Sequence, residues 1–267
     1  MKPVKSIALV VVGVLFFLSC AKVPITGRRQ LHLLPESQLM AMSLTEYRGF
    51  LSKSTLSSKQ AETQMVKTIG QNIANAVTIY MNGHNYSKRI KGYNWEFNLV
   101  EDNNVNAWCM PGGKVVVYTG ILPVTQNENA LAVVMGHEIA HAIARHGNER
   151  MSQQLAVQFG GIGLDVAMSQ KPEQTRAIFQ QVYGAGATVG LLLPYSRLNE
   201  TEADKMGLVF MAMAGYDPNE AIGFWKRMAS LGGQKPPAFL STHPSDEKRV
   251  KDLTAYMPTA MKYYKKR

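Results

Sequence analysis

The residues best suited to chemistry are His137-Glu138-Ile139-Ala140-His141, which read H-E-x-x-H. On a helix, side chains four apart share a face, one turn above the other. Two imidazoles so placed point at the same ion, about where a tetrahedral zinc needs them. Glu138 is displaced by about 100° around the helix, given 3.6 residues per turn. It flanks the ion without binding it, which suits a general base acting on a metal-activated water.

That chemistry requires a helix. Thr125 and Glu128 form a T-x-x-E capping box before the apolar run Ala130-Leu131-Ala132-Val133-Val134-Met135. Leu131, Val134 and Met135 recur at helical spacing, and no proline follows before Ser152. One long, mostly apolar helix is therefore expected to carry the motif. His146, five beyond His141, falls on a different face and reads as structural or as a neighbour of the ligands.

A catalytic zinc held by two histidines takes a third protein ligand and keeps one position open. Ser196-Arg197-Leu198-Asn199-Glu200-Thr201-Glu202-Ala203-Asp204 supplies carboxylates on a separate helix capped by Ser196. Glu200 and Asp204 are four apart and share a face. Such a pair divides naturally: one ligates, and the other accepts the proton of a ligand imidazole. Glu202 points elsewhere.

The elements that must position these groups are readable in outline. Helices are expected from Pro35-Glu36-Ser37 to about Leu51 and from about Ala61 to Tyr80, where Met65, Ile69, Ile73 and Val77 step by four. Trp95, Phe97 and Leu99 alternate with polar residues as in a half-buried strand. Val105 to Met110 and Lys114 to Thr119 form a hairpin across Pro111-Gly112-Gly113. Residues 151–195 are glycine-rich and broken at Lys171-Pro172-Glu173. Further helices run from Ser196 to Gly215, from Asp217-Pro218-Asn219-Glu220 to Gly232-Gly233, and from Pro244-Ser245-Asp246-Glu247 onward, with a loop over Pro236 to His243. The fold class is α+β, predominantly helical, with a small sheet next to the H-E-x-x-H helix and a single domain over 36–267.

Composition agrees. The 267 residues are 46% hydrophobic and 18% charged, which excludes a disordered chain. The net charge of +10 is spread out apart from the tail Lys262-Tyr263-Tyr264-Lys265-Lys266-Arg267, and no nucleic-acid motif accompanies it. No nucleic-acid partner is expected. Lys2 and Lys5 precede the apolar segment Ile7 to Leu18, too short for a comfortable membrane span. It ends at Phe17-Leu18-Ser19-Cys20, which resembles a bacterial lipobox. The expectation is a signal peptide over 1–19, lipid on Cys20, and an irregular lipidated tether over 20–35. The membrane partner is then reached through that lipid. The location is the bacterial cell envelope, facing the periplasm, with the outer membrane favoured because Ala21 follows the cysteine. Cys109 has no disulfide partner and reads as a small hydrophobe in a strand.

H-E-x-x-H followed by S-R-x-x-E-x-E-A-D resembles metallopeptidase family forty-eight, the HtpX and CAAX-prenyl-protease type, in its bacterial periplasmic lipoprotein branch. Val23-Pro24-Ile25-Thr26-Gly27-Arg28, Asn106-Ala107 before Pro111-Gly112-Gly113, and Tyr118-Thr119-Gly120 are similar to that branch as well. The resemblance implies a zincin-like domain with one zinc per chain on His137, His141 and Glu200. It implies Glu138 as the base and Asp204 as a partner of a ligand. Ser241-Thr242-His243-Pro244 resembles a segment whose histidine can reach the zinc in place of water. His243 is then either an inhibitory ligand or an oxyanion stabiliser. The implied function is a zinc-dependent endopeptidase that degrades misfolded or misassembled envelope proteins. The rival readings are a chaperone-like envelope assembly factor with a zinc-bound but mostly latent site, and a zinc-stabilised structural lipoprotein. Substrate is expected to add as a strand to Lys114, Val115, Val116, Val117, Tyr118 and Thr119, placed at the sheet edge beside the cleft.

Overall fold

A computed structural model describes residues 20–159, 172–183, 196–231, 237–243 and 247–266. The first half contains β1 (Cys20–Lys22), β2 (Arg29–Leu31), α1 (Glu36–Leu51), α2 (Gln60–Gly83), β3 (Glu96–Val100), β4 (Ala107–Met110) and β5 (Lys114–Tyr118). The second contains α3 (Leu122–Thr125), α4 (Glu128–Ala144), α5 (His146–Phe159), α6 (Pro172–Tyr183), α7 (Arg197–Met213), α8 (Glu220–Ser230), α9 (Ala238–Thr242) and α10 (Glu247–Met261). The chain is predominantly helical with two small sheets, as its sequence pattern requires. Among the described residues no helix is long and apolar enough to cross a membrane.

The motif helix α4 is buried at every position from Ala130 to Ala144. A helix that is apolar all round can only be central, and α4 packs against α2, α7, α8 and the sheet. Its closest approach is to α7, where two glycines meet. A Cβ on Gly207 would lie 2.9 Å from the carbonyl carbon of Gly136 and from the amide nitrogen of His137. Those are backbone atoms at the centre of a packed helix and cannot move aside cheaply. The missing side chains let the helices touch, which brings His137 level with the carboxylates of α7. Gly207→Ala is therefore expected to cost about 1–3 kcal/mol of stability, the range for overpacking. Chemical denaturation measures this, and an unchanged midpoint would show that the close approach is dispensable.

Several local expectations are corrected. Asn127, not Thr125, caps the motif helix: its side chain accepts from Ala130 N–H, while Thr125 closes α3 by donating to the Leu122 carbonyl. Asn127 is the extended residue whose side chain can reach back to a free N–H of the first turn. The long helix is interrupted. Arg145 takes a left-handed conformation (φ 61°) and ends α4, and α5 restarts at His146. The short helix α9 occupies part of the segment expected as a loop. The glycine-rich residues 160–171 and 184–195 lie outside the described residues, as do residues 1–19 and the side chain of Cys20.

The supposed tether over 20–35 is ordered structure. β1 and β2 pair antiparallel, with Ala21 opposite Gln30. The turn between them uses positive φ at Ile25 (67°) and Gly27 (70°), and Val23 is fully buried. Three-residue strands are too short to show alternation, so punctuation by Pro24 and Gly27 reads as irregular when it marks a turn.

In the larger sheet the strand order is β3-β5-β4. β5 pairs parallel with β3 and antiparallel with β4. The strand expected at the edge, Lys114 to Thr119, is thus interior and paired on both sides, and Thr119 lies beyond it. It cannot receive a further strand. All five residues of β5 are buried, as befits a strand covered on both faces. The strand beside the motif helix with an open side is β4. Tyr118 N–H donates to the Asn106 carbonyl at 3.1 Å. Amides alternate in direction along an antiparallel strand, so Ala107 and Cys109 turn theirs away from β5. Among the described residues no further strand pairs with β4.

Candidate metal centre

The structure brings His137, His141, Glu200 and His243 together, with one donor atom of each within 4.8 Å of all the others and all four residues buried. His137 Nε2 lies 3.0 Å from His141 Nε2 and 3.2 Å from His243 Nδ1. Glu200 Oε1 lies 3.2 Å from His141 Nε2 and 3.0 Å from His243 Nδ1. Bonds of about 2.0–2.1 Å to a tetrahedral zinc place neighbouring ligand atoms about 3.3 Å apart. The cluster has the dimensions of such a shell, and nitrogen and oxygen donors of this kind suit the ion. Two helices make it. α4 sets the motif histidines one turn apart, and α7 presents Glu200, with Asp204 a turn beyond.

Glu138 is buried beside the cluster, its Oε1 3.4 Å from His243 Nε2. That oxygen has no hydrogen-bond partner among the described residues. Burial pushes the Glu138 carboxyl up to about 7, with the nearby His243 opposing the shift. A carboxyl in that range can both take and return a proton near neutrality.

Asp204 backs His137, with Oδ1 2.9 Å from Nδ1. The residue that sequence reasoning missed is Arg249, near the start of α10. It is buried and donates from Nε and Nη2 to Asp204 (2.8 and 2.6 Å) and from Nη1 to Glu200 (2.9 Å). Its guanidinium carbon lies 3.3 Å from the centre of the Trp225 ring, a cation–π stack. The available signal was a cation in the first turn of a helix, where the macrodipole disfavours it.

Burial raises Glu200 and Asp204, but their cationic neighbours outweigh it. Glu200 is held well below the usual carboxylate range by His243 and Arg249, and Asp204 is lowered by Arg249 and His137. The two motif histidines diverge. Burial lowers both. At His137 the carboxylates of Glu200 and Asp204 win and the pKa is raised, whereas His141 remains well below the ordinary histidine value. Glu202 does turn away from the cluster, and its oxygens meet His146, Thr26 and Arg28.

Residues 60–257 match the model of peptidase family M48. The chain is 34% identical over 257 residues to the mitochondrial metalloendopeptidase OMA1 of Schizosaccharomyces pombe, covering 93% of this chain and 69% of that one. It is 32% identical over 261 residues to the human mitochondrial metalloendopeptidase OMA1, covering 93% of this chain and 48% of that protein. It is 36% identical over 165 residues to a putative beta-barrel assembly-enhancing protease of Vibrio cholerae, covering 58% of this chain and 33% of that protein. The chain thus spans about half or less of the length of the last two. These relatives correct the expected bacterial-envelope, lipid-anchored location. Those matched over 93% of the chain are mitochondrial, and the bacterial match covers less of it.

Proposed function

The chain belongs to peptidase family M48, and on that premise we propose that it is a zinc-dependent endopeptidase acting on misfolded or misassembled proteins. The observation that carries this reading is the buried shell of His137, His141, Glu200 and His243, with a Glu138 oxygen beside it that makes no hydrogen bond among the described residues. His137, His141 and Glu200 would hold the ion, and Asp204, 2.9 Å from His137 Nδ1, would orient His137. When bound, zinc supplies a Lewis acid for the scissile carbonyl and lowers the pKa of water to about 7. Glu138 takes the proton of the attacking water and delivers it to the leaving amine. The Ala107 N–H is already given to Asn106 Oδ1. Substrate adds as an extended segment to the open side of β4, where main-chain bonds at Cys109 and at the Ala107 carbonyl give affinity with little side-chain selectivity. That is the selectivity that clearance of unfolded chains requires. Cleavage of casein by the purified chain, lost with chelator and restored by zinc, tests the reading. Chelator-insensitive cleavage, or none after zinc loading, contradicts it.

His243 favours a latent resting state. Its Nδ1 lies 3.2 Å from His137 Nε2 and 3.0 Å from Glu200 Oε1, so with an ion bound it would be a fourth ligand where a catalytic site keeps water. The same element touches the proposed substrate edge: Phe239 N–H donates to the Val105 carbonyl, just before β4, and His243 N–H donates to the Phe239 carbonyl. Substrate reaching Val105 competes for the first bond and loosens the turn that carries His243. His243→Ala is therefore expected to raise casein cleavage and self-cleavage. A loss of about a hundredfold would instead assign His243 to oxyanion stabilisation, and unchanged activity would reject both roles.

A further inference from the structure

Both motif histidines present Nε2 to the donor cluster. An imidazole that ligates through Nε2 keeps its proton on Nδ1, and the partner of Nδ1 fixes that choice. At His137 the partner is a carboxylate, Asp204. At His141 it is another ring nitrogen, His146 Nδ1, at 3.0 Å. One of two facing nitrogens must donate and the other accept. For His141 to donate, His146 must carry its own proton on Nε2. His146 Nε2 faces Glu202 Oε2 at 3.3 Å, and an ionised carboxylate only accepts. Glu202 therefore sets the tautomer of His146, and His146 sets that of His141.

Glu202 is itself held. Arg28 Nε donates to its Oε2 at 2.6 Å, and the Thr26 hydroxyl donates to its Oε1. The other two nitrogens of Arg28 grip Glu149 at 2.6 and 2.7 Å, and Glu149 also accepts from Asn199 Nδ2. His146 is fully buried and Glu202 nearly so. The left-handed break at Arg145 is what returns His146 to His141, since a continuous helix would carry it to another face. The two histidines thus have parallel supports: Asp204 under Arg249 for one, and Glu202 under Arg28, acting through His146, for the other.

We propose that His146, Glu202 and Arg28 are positioning residues of the metal centre, a chain that holds His141 with Nε2 unprotonated and makes the N-terminal hairpin a working part of the site. The inference rests on His141 being a ligand, as the proposed function has it. It is tested by zinc affinity of the full chain, measured by competition with a chromophoric chelator, beside circular dichroism and metal-free melting of each variant. His146→Leu is expected to bind zinc about 10–100-fold more weakly. His146→Asn, whose side-chain oxygen replaces Nδ1 as acceptor, recovers most of the loss. Arg28→Ala weakens binding in the same direction. Arg28→Lys weakens it less, because it keeps the charge but not the fork. Should His146→Leu fail to fold, the partly exposed Arg28 carries the test. Wild-type zinc affinity in a folded His146→Leu, or in Arg28→Ala, overturns the proposal. His141→Ala separates the two levels. If it also retains full affinity, the ligand assignment itself is wrong. If it loses zinc while His146→Leu does not, only the positioning chain fails.

Discussion

Glu138→Gln should lower casein cleavage by about 10²–10⁴-fold, the usual contribution of a general acid–base group. The amide has nearly the same shape, so the buried pocket beside His243 is kept. What disappears is the capacity to accept a proton and return it. Glu138 contributes no donor atom to the four-residue shell, so zinc content should not change. Turnover and elemental analysis on the same sample separate the two effects. A Gln variant that cleaves at the wild-type rate would remove Glu138 from the mechanism. One that loses zinc would make it a ligand.

Arg249→Met should be the most destabilising single change at the site. Arg249 is the cation shared by Asp204 and Glu200, and all three are buried. Removing one partner of a buried ionic cluster leaves uncompensated charge and costs about 3–5 kcal/mol. Methionine retains much of the contact with Trp225 and isolates the electrostatic part. The loss should be greatest without metal and partly offset by zinc, which binds the folded state and stabilises it by mass action. Thermal melts with chelator and with added zinc measure both. A metal-free melt unchanged by the substitution would show that the histidines alone balance the two acids.

Arg249 also marks where sequence reasoning runs out. The H-E-x-x-H spacing and the Glu200–Asp204 pair are legible without coordinates, because the helix repeat alone decides which side chains share a face. Arg249 and Arg28 come from opposite ends of the chain and reach α7 only through tertiary packing, so no local period announces them. His146 reads from the sequence as structural or as a neighbour of the ligands, but which ligand it meets does not. Its relation to His141 depends on one left-handed residue, Arg145, which is neither glycine nor asparagine. Strand order was hidden as well. A hairpin of β4 and β5 lets a third strand join either side, and turn chemistry does not choose. One signal was present: Val115-Val116-Val117 has no polar alternation, the mark of a strand buried on both faces. Gly136 and Gly207 were equally silent, since a glycine within a helix signals close packing only once its opposite number is known.

Zinc content across a set of purified variants decides whether His137, His141 and Glu200 form the metal site. Wild type and Glu138→Gln should each carry one zinc per chain, while His137→Ala, His141→Ala and Glu200→Ala should carry essentially none. Full zinc retention in Glu200→Ala would contradict the account, because the helix contact that brings α7 to the motif would then not serve to supply the third ligand.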